Sequence, residues 1–217
     1  MEVLIPLTCF PDIRFLALLN SGYQIKIEVC DRYERQSLRN RYSICGSQGK
    51  LDLSIPVSLD ESRMYASARI SYRESWARVH WRSITASYNN APYFVYYADA
   101  VESLLFSGEV NMQTFNKNAL ELLCDAWKLD VPTYTNDWHA ALPEIQVDLR
   151  NWAEPKTLKQ TDFTHYNQVF EEKTGFVEAC SGLDLLFNYG PDSPEMLNRQ
   201  LSLLQAQNFG LTKKLDQ

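Results

Sequence analysis

The sequence predicts an α/β fold: a mixed sheet with an N-terminal βαβ unit and a β-hairpin, a helical lobe in the middle of the chain, and a C-terminal helical segment. Three observations carry this prediction. In "YQIKIEVC" (residues 23–30), Ile25, Ile27 and Val29 alternate with Gln24, Lys26 and Glu28, the period of a half-buried strand. In "YSICGSQGKLDLSIPV", two strand-like runs flank a "GSQGK" turn. From Ser75 onward the apolar period changes to that of helices and keeps it to Leu129.

Taken in order, "EVLIPLT" (residues 2–8) reads as the first strand. Pro11 then opens "PDIRFLALLNSG", where Ile13, Leu16, Ala17 and Leu19 fall at helical spacing. Proline suits a first helical turn, and Asn20, Ser21 and Gly22 stop the run. With the 23–30 strand this makes a βαβ unit, which predicts a right-handed parallel pair. The hairpin follows the charged "DRYERQSLRNR", and "SARISY" (residues 67–72) is a further short strand. Residues 75–90, 93–106 and 113–129 read as helices, 145–150 as a strand, and the Pro-containing "NWAEPKTLKQTD" as a loop. "LDLLFNYGP" ends a helix at Gly190-Pro191, and "SPEMLNRQLSLLQAQ" starts one with proline just inside. No repeat or long linker interrupts the chain, so residues 1–217 are expected to form one domain.

A content of 45% hydrophobic and 22% charged residues is that of a soluble globular chain. The net charge of -6 argues against nucleic acid as a partner, since a broad basic face is what grips it. No run approaches the roughly 18 apolar residues of a membrane span. The start, "MEVLIPLTCFPDIRF", lacks the basic flank and cleavage site of a secretory signal, which predicts a cytoplasmic protein. Cys9, Cys30, Cys45, Cys124 and Cys180 form no CxxC pair, and His80, His139 and His165 lack metal-ligand spacing, so no metal site is expected. Nucleotide-binding glycine loops and the common hydrolase motifs are missing from the sequence, and it names no cofactor.

Two clusters stand out. In "SWARVHWRSITASYNNAPYF" (residues 75–94), Trp76, His80, Ser83 and Ser87 share one helical stripe, with Val79, Ile84 and Tyr88 on its apolar flank. Such a stripe fits the wall of a polar pocket. It equally fits a satisfied core histidine beside serines that let helices approach. The stripe predicts buried Trp76 and Ile84 with Arg78 exposed. In "DRYERQSLRNR", Arg32, Arg35, Arg39 and Arg41 lie among Tyr33, Gln36 and Asn40. Arginine suits two-pronged recognition of carboxylate or phosphate, and solvated surface charge is the alternative. The two clusters are expected to meet, His80 and Arg39 or Arg41 lining one concave site. Asp184 and Asn188, one helical turn apart, either tie down neighbouring loops or turn Asp184 toward the arginines.

These segments together resemble the WbqC-like family, especially its shorter members. The resemblance rests on "CFPDIRF", "RQSLRNRYSI", "LSIPV", "WARVHWRSITASYNNAPYFVYY", "VDLRNW" and "YNQVFEEKTGFVEACSGLDLLFNYGP". It implies a connection with bacterial surface polysaccharide or O-antigen production. Longer members open with a His-Gln-Pro motif where this chain has "IPLTCFP", and residues 129–145 are short by comparison. One expectation is therefore a group transferase acting on a nucleotide-linked sugar or amino sugar. His80 would be its acid/base. Arg39, Asn40 and Arg41 would hold the anion, with Trp76, Trp81, Arg82, Tyr88 and Asp184 completing the substrate site. The other expectation is a non-catalytic binding or scaffold protein of the same pathway.

Overall fold

The computed structural model describes residues 1–138, 145–207 and 209–211. β1 (Glu2–Pro6), α1 (Ile13–Leu19) and β2 (Gln24–Glu28) form the expected parallel unit, with Val3 opposite Ile25 and Ile5 opposite Ile27. Asp12, rather than Pro11, sets the start of α1: its carboxylate accepts from the Arg14 backbone N–H at 2.9 Å. The same carboxylate pairs with the fully buried Arg14 guanidinium at 2.8 Å, which lies over the Trp152 ring.

β3 (Arg41–Gly46) and β4 (Gly49–Ser54) make the predicted hairpin, closed by Gly49 in a positive-φ conformation. β5 (Val57–Ser58) and β6 (Arg69–Ile70) form a second, two-residue antiparallel ladder. The helical lobe is α2 (Trp76–Tyr88), α3 (Phe94–Leu105) and α4 (Met112–Trp127), within one or two residues of the expected limits. Asn111 caps α4 by accepting from Thr114 N–H at 2.9 Å, and Lys128 ends it in the left-handed conformation.

β7 (Thr133–Tyr134) and β8 (Val147–Asp148) complete a four-stranded sheet of order β7-β2-β1-β8 in which every pairing is parallel. The antiparallel hairpins stand outside this sheet, so the mixing of strand directions occurs between ladders and not within one. Much of residues 151–162, expected as a loop, winds into two 3₁₀ segments, Arg150–Ala153 and Pro155–Gln160. α5 (Glu171–Thr174), α6 (Gly182–Tyr189) and α7 (Ser193–Ala206) follow. One apolar cluster joins β1 and β2 (Val3, Ile5, Ile27), α1 (Leu16, Leu18), α4 (Leu123), α6 (Leu186) and α7 (Leu197). Each such fully buried side chain stabilises the fold by about 1.5–3 kcal/mol. Among the described residues no helix is long and apolar enough to cross a membrane.

Candidate functional site at the carboxyl ends of the strands

Parallel strands send their connecting loops out at the same edge, and ligands of open α/β sheets bind there. In this protein that edge carries a cleft of about 690 Å³. The loop after β2 supplies Cys30, Asp31, Arg32 and Glu34; the turn after β7 supplies Trp138; the 3₁₀ segment after β8 supplies Arg150 and Asn151. Arg39, Met64 and Glu154 close the wall. Backbone bonds fix these loops: Tyr65 N–H donates to Asp31 O (2.9 Å), Tyr33 N–H to Arg63 O (2.9 Å) and Leu38 N–H to Ala153 O (2.7 Å).

Glu28, the last residue of β2, has no solvent exposure and touches the lining residues Cys30 and Arg150. Its Oε1 accepts from Cys30 N–H (2.7 Å) and Thr135 Oγ1 (2.8 Å), and Arg150 Nη1 lies 3.6 Å from Oε2. Arg150 also grips Asp148, at 2.6 Å through Nη2, and sits over the Trp138 ring at 4.7 Å. Burial works to raise the Asp148 carboxyl, but its hydrogen bonds from Arg150 prevail and hold it below the usual range.

Arg39 is the more consequential cation. It is buried, stacked over Tyr65 at 5.0 Å, and paired through Nη2 with the Asp31 carboxylate. Its Nε and Nη1 are buried with no hydrogen-bond partner among the described residues, as is Asp31 Oδ1. Burial pushes the Asp31 carboxyl up, and nearby Glu28 adds to this while Arg39 opposes it. Arg39 and Asp31, both in the cleft lining, thus keep buried donors and an acceptor unused among the described residues.

The sequence profile of the WbqC-like protein family matches residues 9–151. The chain belongs to that family. The uncharacterized protein Rv1507c of Mycobacterium tuberculosis is 24% identical over 196 residues, covering 76% of this chain and 84% of that protein. No solved structure matches. Apart from Glu154, every residue that lines the cleft of this WbqC-like protein falls inside the matched stretch.

The residues singled out from the sequence go to different places. Arg39 lines the cleft. His80 does not line it: it is 3% exposed, with Nδ1 3.0 Å from Tyr42 Oη and its ring edge-on to Trp76. Burial pushes the imidazole down to about 4 from its ordinary 6.5. The expected meeting of His80 with Arg39 is therefore not made, because His80 and Trp76 face the core between α2 and the hairpin. Arg41 donates to Ser54 Oγ at 3.2 Å and borders a separate void of only about 20 Å³, too small for a substrate. Asn40 is spent on Ile55 O at 2.8 Å. Trp81 stacks on Phe94, and Arg82 is exposed on the helix surface.

The helix itself buries Trp76 and Ile84 and exposes Arg78, as its period predicts, although Val79 is 58% exposed and not on an apolar flank. Asp184 does not turn toward the arginines. It is fully buried, accepting from Tyr88 Oη (2.6 Å), Tyr166 Oη (2.8 Å) and Gln168 Nε2 (2.8 Å), while Asn188 Nδ2 donates to its backbone carbonyl at 2.7 Å. Tyr88 is thereby a structural partner of Asp184, and its ring packs on Phe187. Asp31, Trp138 and Arg150 are among the cleft residues that sequence reasoning missed. Their shared signal is position, each in or just after a strand of the parallel sheet.

Proposed function

We propose that this WbqC-like protein binds a nucleotide-linked sugar or amino sugar in the cleft and serves surface polysaccharide production by transferring a group on that sugar. One observation carries the reading: the buried Nε and Nη1 of Arg39, a residue of the cleft wall, have no partner among the described residues. A buried donor without an acceptor costs roughly 1–3 kcal/mol, which a bound phosphate oxygen would offset. Trp138, 47% exposed, offers a ring face to a base or sugar. Asp31, its carboxyl raised by burial, is the group suited to hold and pass a proton beside that phosphate. It takes the acid/base role expected of His80, whose ring is enclosed.

The test is thermal unfolding with and without UDP-N-acetylglucosamine and related nucleotide-sugars. A ligand that binds only the folded state raises Tm. A rise is expected for the native chain and its loss for Arg39→Lys, which keeps a cation beside Asp31 but not the planar pair of donors. No shift with any nucleotide-sugar would overturn the reading. A non-catalytic binding role has one observation in its favour: Arg32, Arg39 and Arg150 are balanced by Asp31, Glu34 and Glu154 in the lining. A change in mass of the sugar portion of the intact nucleotide-sugar on adding an activated acyl donor or an amine donor separates the two.

A further inference from the structure

A second concavity, about 660 Å³, shares no lining residue with the cleft. Three segments far apart in sequence build it: the α2–α3 turn, the loop before α5, and the end of α6. Its composition is unlike the cleft's. The α2–α3 turn gives Asn90 and Tyr93, the loop gives Asn167 and Phe170, and the end of α6 gives Asn188 and Tyr189. Asp192 is the one charged residue, and the lining holds no Lys, Arg or His. The volume falls within the range of about 300–1,000 Å³ usual for small-molecule sites.

The walls are held firmly. Tyr93 N–H donates to Phe187 O at 3.0 Å, and the Tyr93 ring lies so close to Gly190 that a Cβ there would stand 2.4 Å from it. Gly190 has φ +50°, and its carbonyl accepts from Trp127 Nε1 at 2.9 Å. Only glycine permits this approach, so the ring is fixed at the rim. On the opposite side Asn167 N–H donates to Tyr189 Oη at 3.2 Å, and Gln168 anchors the loop to buried Asp184.

We propose that this groove binds a neutral saccharide. A carboxamide offers an acceptor and two donors in one plane, which pairs of neighbouring sugar hydroxyls require. Exposed Asn90 and Asn167 are the free amides, since neither side chain has a partner among the described residues. Tyr93, Phe170 and Tyr189 supply ring faces for the C–H face of a pyranose. With no cation in the lining, a phosphate-bearing ligand has nothing to meet its charge. A peptide is the poorer occupant, because none of the three segments is a strand whose edge could pair with it. The inference goes beyond the cleft's nucleotide-sugar reading and stands without it.

Saturation-transfer difference NMR on the full chain, with chitotriose and maltotriose as probes and a neutral tripeptide as control, tests this. Transfer to at least one saccharide is expected, and the Asn90→Ala/Asn167→Ala variant should bind it roughly tenfold or more weakly at unchanged Tm. Tyr189→Phe, which keeps the ring, serves as a milder variant and should retain most of the signal. Arg39→Lys should leave saccharide binding intact even where it abolishes the nucleotide-sugar response. No transfer to either saccharide, equal transfer with the double variant, or a preference for the tripeptide would each overturn the proposal.

Discussion

The cleft and the groove are of similar volume, about 690 and 660 Å³, yet they are chemically opposed. The cleft gathers three arginines and three carboxylates at the ends of parallel strands. The groove is built from helix ends and a loop, and holds amides, aromatic rings and one carboxylate. Strand ends bring several short, well-fixed loops together, so ions of both signs can be buried side by side and left partly unpaired. Helix ends bring fewer charges and more ring surface. The difference indicates two ligand chemistries on one chain, and each can be broken separately.

The largest effect is expected in the cleft. Arg39→Ala leaves Asp31 buried without its cation, which should destabilise the fold by about 3–5 kcal/mol at pH 7 in urea titrations. Asp31 has a carboxyl raised above its unfolded value. Its contribution is therefore present below the unfolded value and lost as pH rises through the folded one. In the variant the deficit should shrink as pH falls and Asp31 takes up a proton, while saccharide binding in the groove stays as it was. A deficit under about 1 kcal/mol would mean the pair is effectively solvated, and the contrast between the regions would weaken.

The next effect sharpens where His80 belongs. With its imidazole pushed from 6.5 to about 4, the unfolded chain binds more protons than the folded one between those values. Stability should fall by up to about 3 kcal/mol as pH drops through that window. His80→Phe should flatten this slope in denaturant titrations across the same range. It should leave ligand binding at both concavities unchanged. A slope that survives in His80→Phe would assign it to other groups.

The helices, the βαβ unit and the hairpin were legible in the sequence because each has a period and a stop: alternation in Ile25, Ile27 and Val29, and Gly49 at the hairpin turn. β8 lies inside the 145–150 run that reads as a strand, whereas β7, with two paired residues, holds no period to read. The cleft was legible only through Arg32 and Arg39. Asp31 lies more than a hundred residues before Trp138 and Arg150, and they meet only because the strands pair in parallel. His80 misled for a physical reason. A helix stripe of Trp, His and Ser looks alike whether it faces a ligand or, as here, a tyrosine hydroxyl in the core.

Asp184 provides the smallest and most discriminating effect, because it lies behind one region only. Its carboxylate accepts from two phenols and one amide, all buried. Asparagine in its place has one oxygen to accept and two N–H groups that would face donors, so at least one of the three bonds is lost. Asp184→Asn should therefore destabilise by about 1–3 kcal/mol. Gln168 is the partner whose loss matters for function, since it also brackets Val177 through donation to its carbonyl and acceptance from its N–H. Loosening it frees the loop that carries Asn167 and Phe170. Saccharide affinity in the folded variant should fall, while the nucleotide-sugar response of the cleft is unaffected. Loss of both responses in a folded protein would couple the two regions, and loss of neither would show that the loop keeps its shape without Asp184.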